Sequence, residues 1–135
     1  MAFTGNYTCN SFKSGLIDGD FDFDTDTFKI ALYTNSATLN AETAAYTATG
    51  EVSASGYSAG GNTLTVSKGI TGGTAFITFA DTTWSSALTA RGALIYKDGG
   101  AAVCVLDFGS DKTSTATFSI DFPAASSTDA LIRLS

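Results

Sequence analysis

Histidine is absent from the 135 residues. That removes Ser-His-Asp and Cys-His nucleophilic systems and most zinc sites. Proline occurs once, as Pro123, which excludes a Pro-rich stalk or linker. Basic residues are scarce: Lys13, Lys29, Lys68, Arg91, Lys97, Lys112 and Arg133 are dispersed along the chain and leave a net charge of −6. Phosphate binding needs clustered Lys and Arg, so nucleic acid is not an expected partner. No apolar run approaches the roughly eighteen residues of a membrane helix, so no membrane partner is expected either. The opening "MAFTGNYTCN" has neither a basic segment nor an apolar core of the export-signal kind, which points to a protein made and kept in a cytoplasm unless released by lysis. Only Cys9 and Cys104 carry thiols. A disulfide between them is one reading, and two reduced thiols fit the lack of an export signal better.

What is present suits one globular domain. Hydrophobic residues make up 44% and charged residues 15%, a balance that supports a packed core. Abundant Thr, Ser, Gly and Ala favour short strands and turns. Residues 1–8 read as an extended arm anchored by Phe3 and Tyr7. Residues 9–18 read as one short helix, with Thr8 as its N-cap and Gly19 beyond its last turn. "TFKIALYT" (27–34) alternates, with Phe28, Ile30 and Leu32 on one buried face. Residues 35–61 form a long polar loop broken by glycines, in which "NAETAAY" could make a helical turn; a loop of that length is expected to make contacts. "TLTVSKG" and "GTAFITFAD" predict a hairpin, and Asp98-Gly99 in "KDGG" predicts a second, stronger one. "STATFSIDFPAA" and "DALIRLS" add two more strands. The spacing of turn signals predicts an all-β fold, an antiparallel sandwich or barrel-like domain with one short N-terminal helix.

Chemistry is thinly represented. "GxxxxGK[ST]" is missing, and "GYSAGG" lacks both the strand-to-helix setting and the histidine of a nucleophile elbow. No catalytic residue, cofactor or metal is expected, and the chain is read as not an enzyme. The stretch "DGDFDFDTDTF" places Asp at every second position from Asp18 to Asp26. No register of it supplies the Gly and Glu of a calcium loop. The alternative is a strand with carboxylates on one face and Phe21 and Phe23 on the other, guarding an edge against stray pairing. Asp107 and Asp121 are expected to cap turns or pair with a lysine, with Arg133 as a further partner.

Several segments carry a resemblance: "DTFKIALYTNSATLNAETAAYTATGEVSASGYSAGG", "FADTTWSSALTARGALIYKDGG" with "AVCVLDFGSDKTST", and "FPAASSTDALIRL". Through them nearly the whole chain resembles a family of small, mostly uncharacterised virion proteins of tailed bacteriophages. The resemblance implies a capsid decoration (cement) protein, with the major capsid protein and copies of itself as partners. It further implies a homo-oligomer on the virion's capsid surface, assembled in the host cytoplasm. An acidic chain suits the outer surface, away from packaged DNA. Phe3, Tyr7, Tyr46, Tyr57 and Trp84 are the expected capsid or oligomer contacts. A tail-tip or fibre-associated component is one alternative. A carbohydrate-binding module, with Trp84, Tyr46 or Tyr57 stacking on sugars, is another.

Overall fold

The computed structural model describes residues 3–135, so the first two residues of the expected arm lie outside it. Among the described residues, chain order runs β1 (Tyr7–Thr8), α1 (Asn10–Asp18), β2 (Phe28–Tyr33), β3 (Asn62–Leu64), β4 (Val66–Thr71) and β5 (Thr74–Phe79). It continues with β6 (Thr82–Trp84), β7 (Thr89–Lys97), β8 (Ala102–Thr113), β9 (Phe118–Ile120) and β10 (Ile132–Leu134). The chain is all-β with one short N-terminal helix, and every strand pairing is antiparallel. A five-stranded sheet has the order β1-β8-β7-β2-β3, a three-stranded sheet β10-β5-β4, and a two-stranded sheet β6-β9.

The main core lies on one face of the five-stranded sheet. Phe28, Ile30, Leu32, Ala93 and Ile95 meet Phe79, Trp84, Phe118 and Ile120 of the smaller sheets and Phe12 of the helix. The opposite face is closed as well. Ala31, Tyr33, Leu94, Tyr96, Ala102 and Val105 form a second cluster with Phe3, Cys9, Ala37 and Leu39. β2 therefore buries both faces, not the single one its alternation predicts, because residues before β1 and after β2 fold over the second face.

The helix ends as expected, at Gly19 in the left-handed conformation (φ 79°), a position that favours glycine. Its start differs. Thr8 belongs to β1, the N-cap is Cys9, and no side chain caps it. Tyr7 and Thr8 pair with Val105 and Cys104, so the described part of the expected arm is the edge of the chain's own sheet. The "KDGG" hairpin forms as predicted, with Gly99 at φ 74° and the Lys97 N–H donating to Ala101 O at 2.9 Å. "GITGG" likewise turns β4 into β5.

The Asp-rich stretch is corrected: it is a turn, not a strand. The Asp24 N–H donates to Asp22 Oδ1 (2.9 Å), the Asp22 N–H to Asp26 Oδ2 (2.8 Å), and the Asp26 N–H to Asp22 O (2.9 Å). Asp side chains compete well for nearby backbone N–H groups, and here that local bonding outweighs strand pairing. Phe21 and Phe23 still turn inward. Phe21 packs edge-on against Phe12 (5.0 Å), and Phe23 stacks on Phe28 (4.5 Å). Lys97 ties the turn to β7 through Asp26 (3.1 Å) and the Asp20 carbonyl (2.6 Å).

The turn has a titration signature. The Asp24 N–H, first, holds the Asp22 carboxyl below its ordinary range, and the Asp22 N–H followed by Lys97 does the same for Asp26. A folded value below the unfolded one stabilises the turn above the ordinary aspartate range, and that contribution fades as pH falls toward the lowered values. Carbon-detected NMR titration should place both midpoints below about 3.9, the reference value for aspartate. Midpoints at or above it would mean that the carboxylates do not hold the turn.

Candidate functional site

Of the five aromatic residues expected at a contact surface, three are core residues. Phe3 is 1%, Trp84 3% and Tyr57 9% exposed. Trp84 lies between Tyr57 (6.0 Å) and Phe118 (6.2 Å), and its buried indole N–H has no hydrogen-bond partner among the described residues. Tyr7 is half-buried at the sheet edge. Tyr46 is half-buried too, with its ring stacked on Tyr96 at 5.0 Å. The structure thus brings Tyr57 and Trp84 together, but as packing. Neither offers an open ring face to a sugar or a partner.

What organises this region is a residue without a sequence signal, Glu51. Its carboxylate accepts the Tyr46 hydroxyl (2.5 Å), the Tyr57 hydroxyl (2.6 Å) and the Gly60 N–H (2.8 Å). The Tyr57 oxygen in turn accepts the Leu32 N–H (2.9 Å), which finishes the edge of β2 where β3 stops. Tyr96 donates to Gly60 O (2.6 Å) and Tyr33 to Thr47 O (2.7 Å). Burial, with the neighbouring Glu51 charge, raises the phenols: Tyr46 and Tyr96 are pushed up to about 12, and Tyr33 and Tyr57 also move up. Phenols held protonated serve as hydrogen-bond donors, not as bases.

The 35–61 segment therefore has two parts. Residues 35–49 leave and return at one point: the Thr34 N–H donates to Gly50 O at 2.8 Å, and Tyr33 bridges Glu51. Close ends and inward-packed side chains make this an Ω-loop, with Ala37 and Leu39 as its plugs. "NAETAAY" makes a single turn in it, closed by the Thr43 N–H on Asn40 O (3.1 Å). Residues 50–61 run along β2 and bury Val52 and Tyr57 in the main core. Their outward side chains include Ser53, Ser55 and Ser58, while the Ω-loop shows Ser36, Thr38, Glu42 and Thr49.

A second organising contact is the ion pair of Arg91 and Asp107, with side chains 10% and 13% exposed. Asp107 pairs with Arg91, and not with a lysine or Arg133; Arg133 donates instead to the Thr128 carbonyl. As expected, Asp107 also caps a turn, accepting the Gly109 N–H at 2.8 Å. The β7–β8 register explains the geometry. Ala90 faces Lys112 and Gly92 faces Asp107, so Arg91 alone spans Phe108 to Asp111. Such a bulge re-aims a side chain. The guanidinium lies over the Phe3 ring at 5.5 Å, and Asn6 accepts the Asp107 N–H at 2.6 Å. The lone charge within "TARGALIY" was the available signal for this site.

A concavity of about 710 Å³ opens where β8 and β9 diverge, lined by Phe108, Phe118 and Ile120 with Thr115, Lys112 and Asp121. None of the five expected aromatics lines it. Both thiols are free and buried. Burial pushes Cys9 up to about 11 and raises Cys104 further, so neither is a thiolate nucleophile at neutral pH. Among the described residues, no three His, Cys, Asp or Glu side chains gather to hold a metal ion, and no helix is long and apolar enough to cross a membrane. Compared with known proteins, the chain matches no family model, no curated protein and no solved structure.

Proposed function

We propose that this chain is a structural virion protein of a tailed phage, a head decoration protein that binds the outer capsid surface and stabilises contacts between coat subunits. Its partners are the major capsid protein and copies of itself, and assembly takes place in the host cytoplasm. The observation that carries the reading is the 50–61 part of that segment, an irregular polar surface fixed from beneath by Tyr57 on Glu51 and by Val52 in the main core. A surface already held in one conformation loses little entropy on binding, which is what a clamp between subunits needs. The exposed carboxylates of Asp18, Asp20, Asp22 and Asp24 suit a face turned away from packaged DNA. The ionisable groups that do meet are engaged in structural contacts, which favours a scaffold over a catalyst.

Quantitative mass spectrometry of purified particles tests this. The expected result is a copy number of the same order as the coat protein. A few copies per particle would move the protein to the tail, and absence from particles would overturn a virion role altogether.

A further inference from the structure

The Ω-loop over residues 35–49 covers an apolar sheet face yet is joined to the rest of the chain by few bonds. Two amides distant in sequence donate to its carbonyls, Ala102 N–H to Ala44 O (2.9 Å) and Asn10 N–H to Ala41 O (2.8 Å), and Glu51 N–H donates to Ala48 O (3.3 Å) beside the neck. Two phenols fasten its far side, Tyr33 to Thr47 O (2.7 Å) and Tyr46 to Glu51 (2.5 Å). Its remaining backbone bonds are local turns, such as Ala37 N–H to Thr34 O (3.1 Å). At its neck the Thr34 N–H and hydroxyl both bond Gly50 O, at 2.8 and 3.0 Å, and Gly50 has φ 79°.

We propose that this Ω-loop is a lid that opens as a unit about the Thr34–Gly50 neck while the sheets stay folded, with the Tyr46 hydroxyl on Glu51 as its latch. The opening uncovers part of the second cluster, in which Ala31, Tyr33, Leu94 and Tyr96 are buried together with Ala37 and Leu39 of the loop. Local opening is drawn from segments with few ladder bonds and few buried side chains, and this loop has one isolated bridge, Ala45 to Ala101, and two fully buried side chains, Ala37 and Leu39. Residues 50–61 differ, because Val52 and Tyr57 are part of the main core. The lid is thus a conformational switch between a closed polar surface and an exposed apolar one. It does not depend on the virion reading.

Hydrogen exchange on the full chain tests the lid, with Ala102 and Asn10 as reporters because their bonds break only when it lifts. Tyr46→Phe removes the latch hydroxyl and keeps the stack on Tyr96. Loss of a hydrogen bond to a charged group is expected to speed exchange at both reporters about tenfold or more. The amides of Leu94 and Ile95, in the centre of the five-stranded sheet, should keep their wild-type rates. Equal acceleration at reporters and sheet centre would overturn the proposal, since the loop would then open only with global unfolding. Unchanged reporters would overturn it too, because the hydroxyl would not be the latch. Circular dichroism of the variant confirms that the fold is retained.

Discussion

Arg91→Ala should destabilise the fold by about 3–5 kcal/mol, as removal of one member of a buried ion pair generally does. The truncation leaves the Asp107 carboxylate largely out of water, with the Gly109 N–H as its remaining donor among the described residues. It also strips the cation from the Phe3 ring, loosening the chain before β1. Asp107→Asn should be similarly damaging, because a neutral amide cannot balance the guanidinium. The double substitution Arg91→Met with Asp107→Leu should recover much of the loss, since an apolar pair carries no desolvation penalty. Urea denaturation followed through the fluorescence of Trp84 measures all three. A cost below about 1 kcal/mol for Arg91→Ala would show that the pair behaves as a solvent-exposed one.

Gly61→Ala should be worse, at more than about 4 kcal/mol, with much of the variant expected to be recovered unfolded. A Cβ on Gly61 would lie 1.8 Å from the Ile30 carbonyl oxygen and 2.8 Å from Ala31 Cα, both main-chain atoms in the middle of β2. Nothing there can rotate away. Gly61 also has φ 79°, which L side chains resist. Gly99 separates the two causes, because its φ is 74° but a Cβ there meets nothing within 4 Å. Gly99→Ala should therefore cost only the conformational term, about 1–2 kcal/mol. Comparable melting temperatures for the two variants would refute the steric account.

The regular elements were legible wherever one local rule acted alone. Asp98-Gly99 between apolar runs specified its hairpin, and Gly19 its helix end. "DGDFDFDTDTF" misled because alternation is shared by strands and by aromatic side chains folded under a turn. The Asx bonds that decide between them depend on backbone geometry and not on spacing. The burial of Ala31 and Tyr33 had no signal in the alternation because their cover comes from an irregular loop. Glu51 was invisible for the same reason: its partners at 46, 57 and 60 follow no helical or strand period. Arg91 could be noticed as a lone charge in an apolar strand, but its partner could not, since a register slip in β8 brings Asp107 to it.

The N-terminal edge also sets an order of events in synthesis. Phe3, Asn6, Tyr7 and Thr8 find their partners at Arg91, Asp107, Val105 and Cys104, and the Asn6–Asp107 bond alone closes a separation of 101 residues. The first described residues to leave the ribosome are thus idle until most of the chain has followed. Closing so long a loop costs entropy that only a preformed β7–β8 hairpin can offset. β1 therefore joins the sheet only after β7 and β8 exist, as the seam that seals its edge.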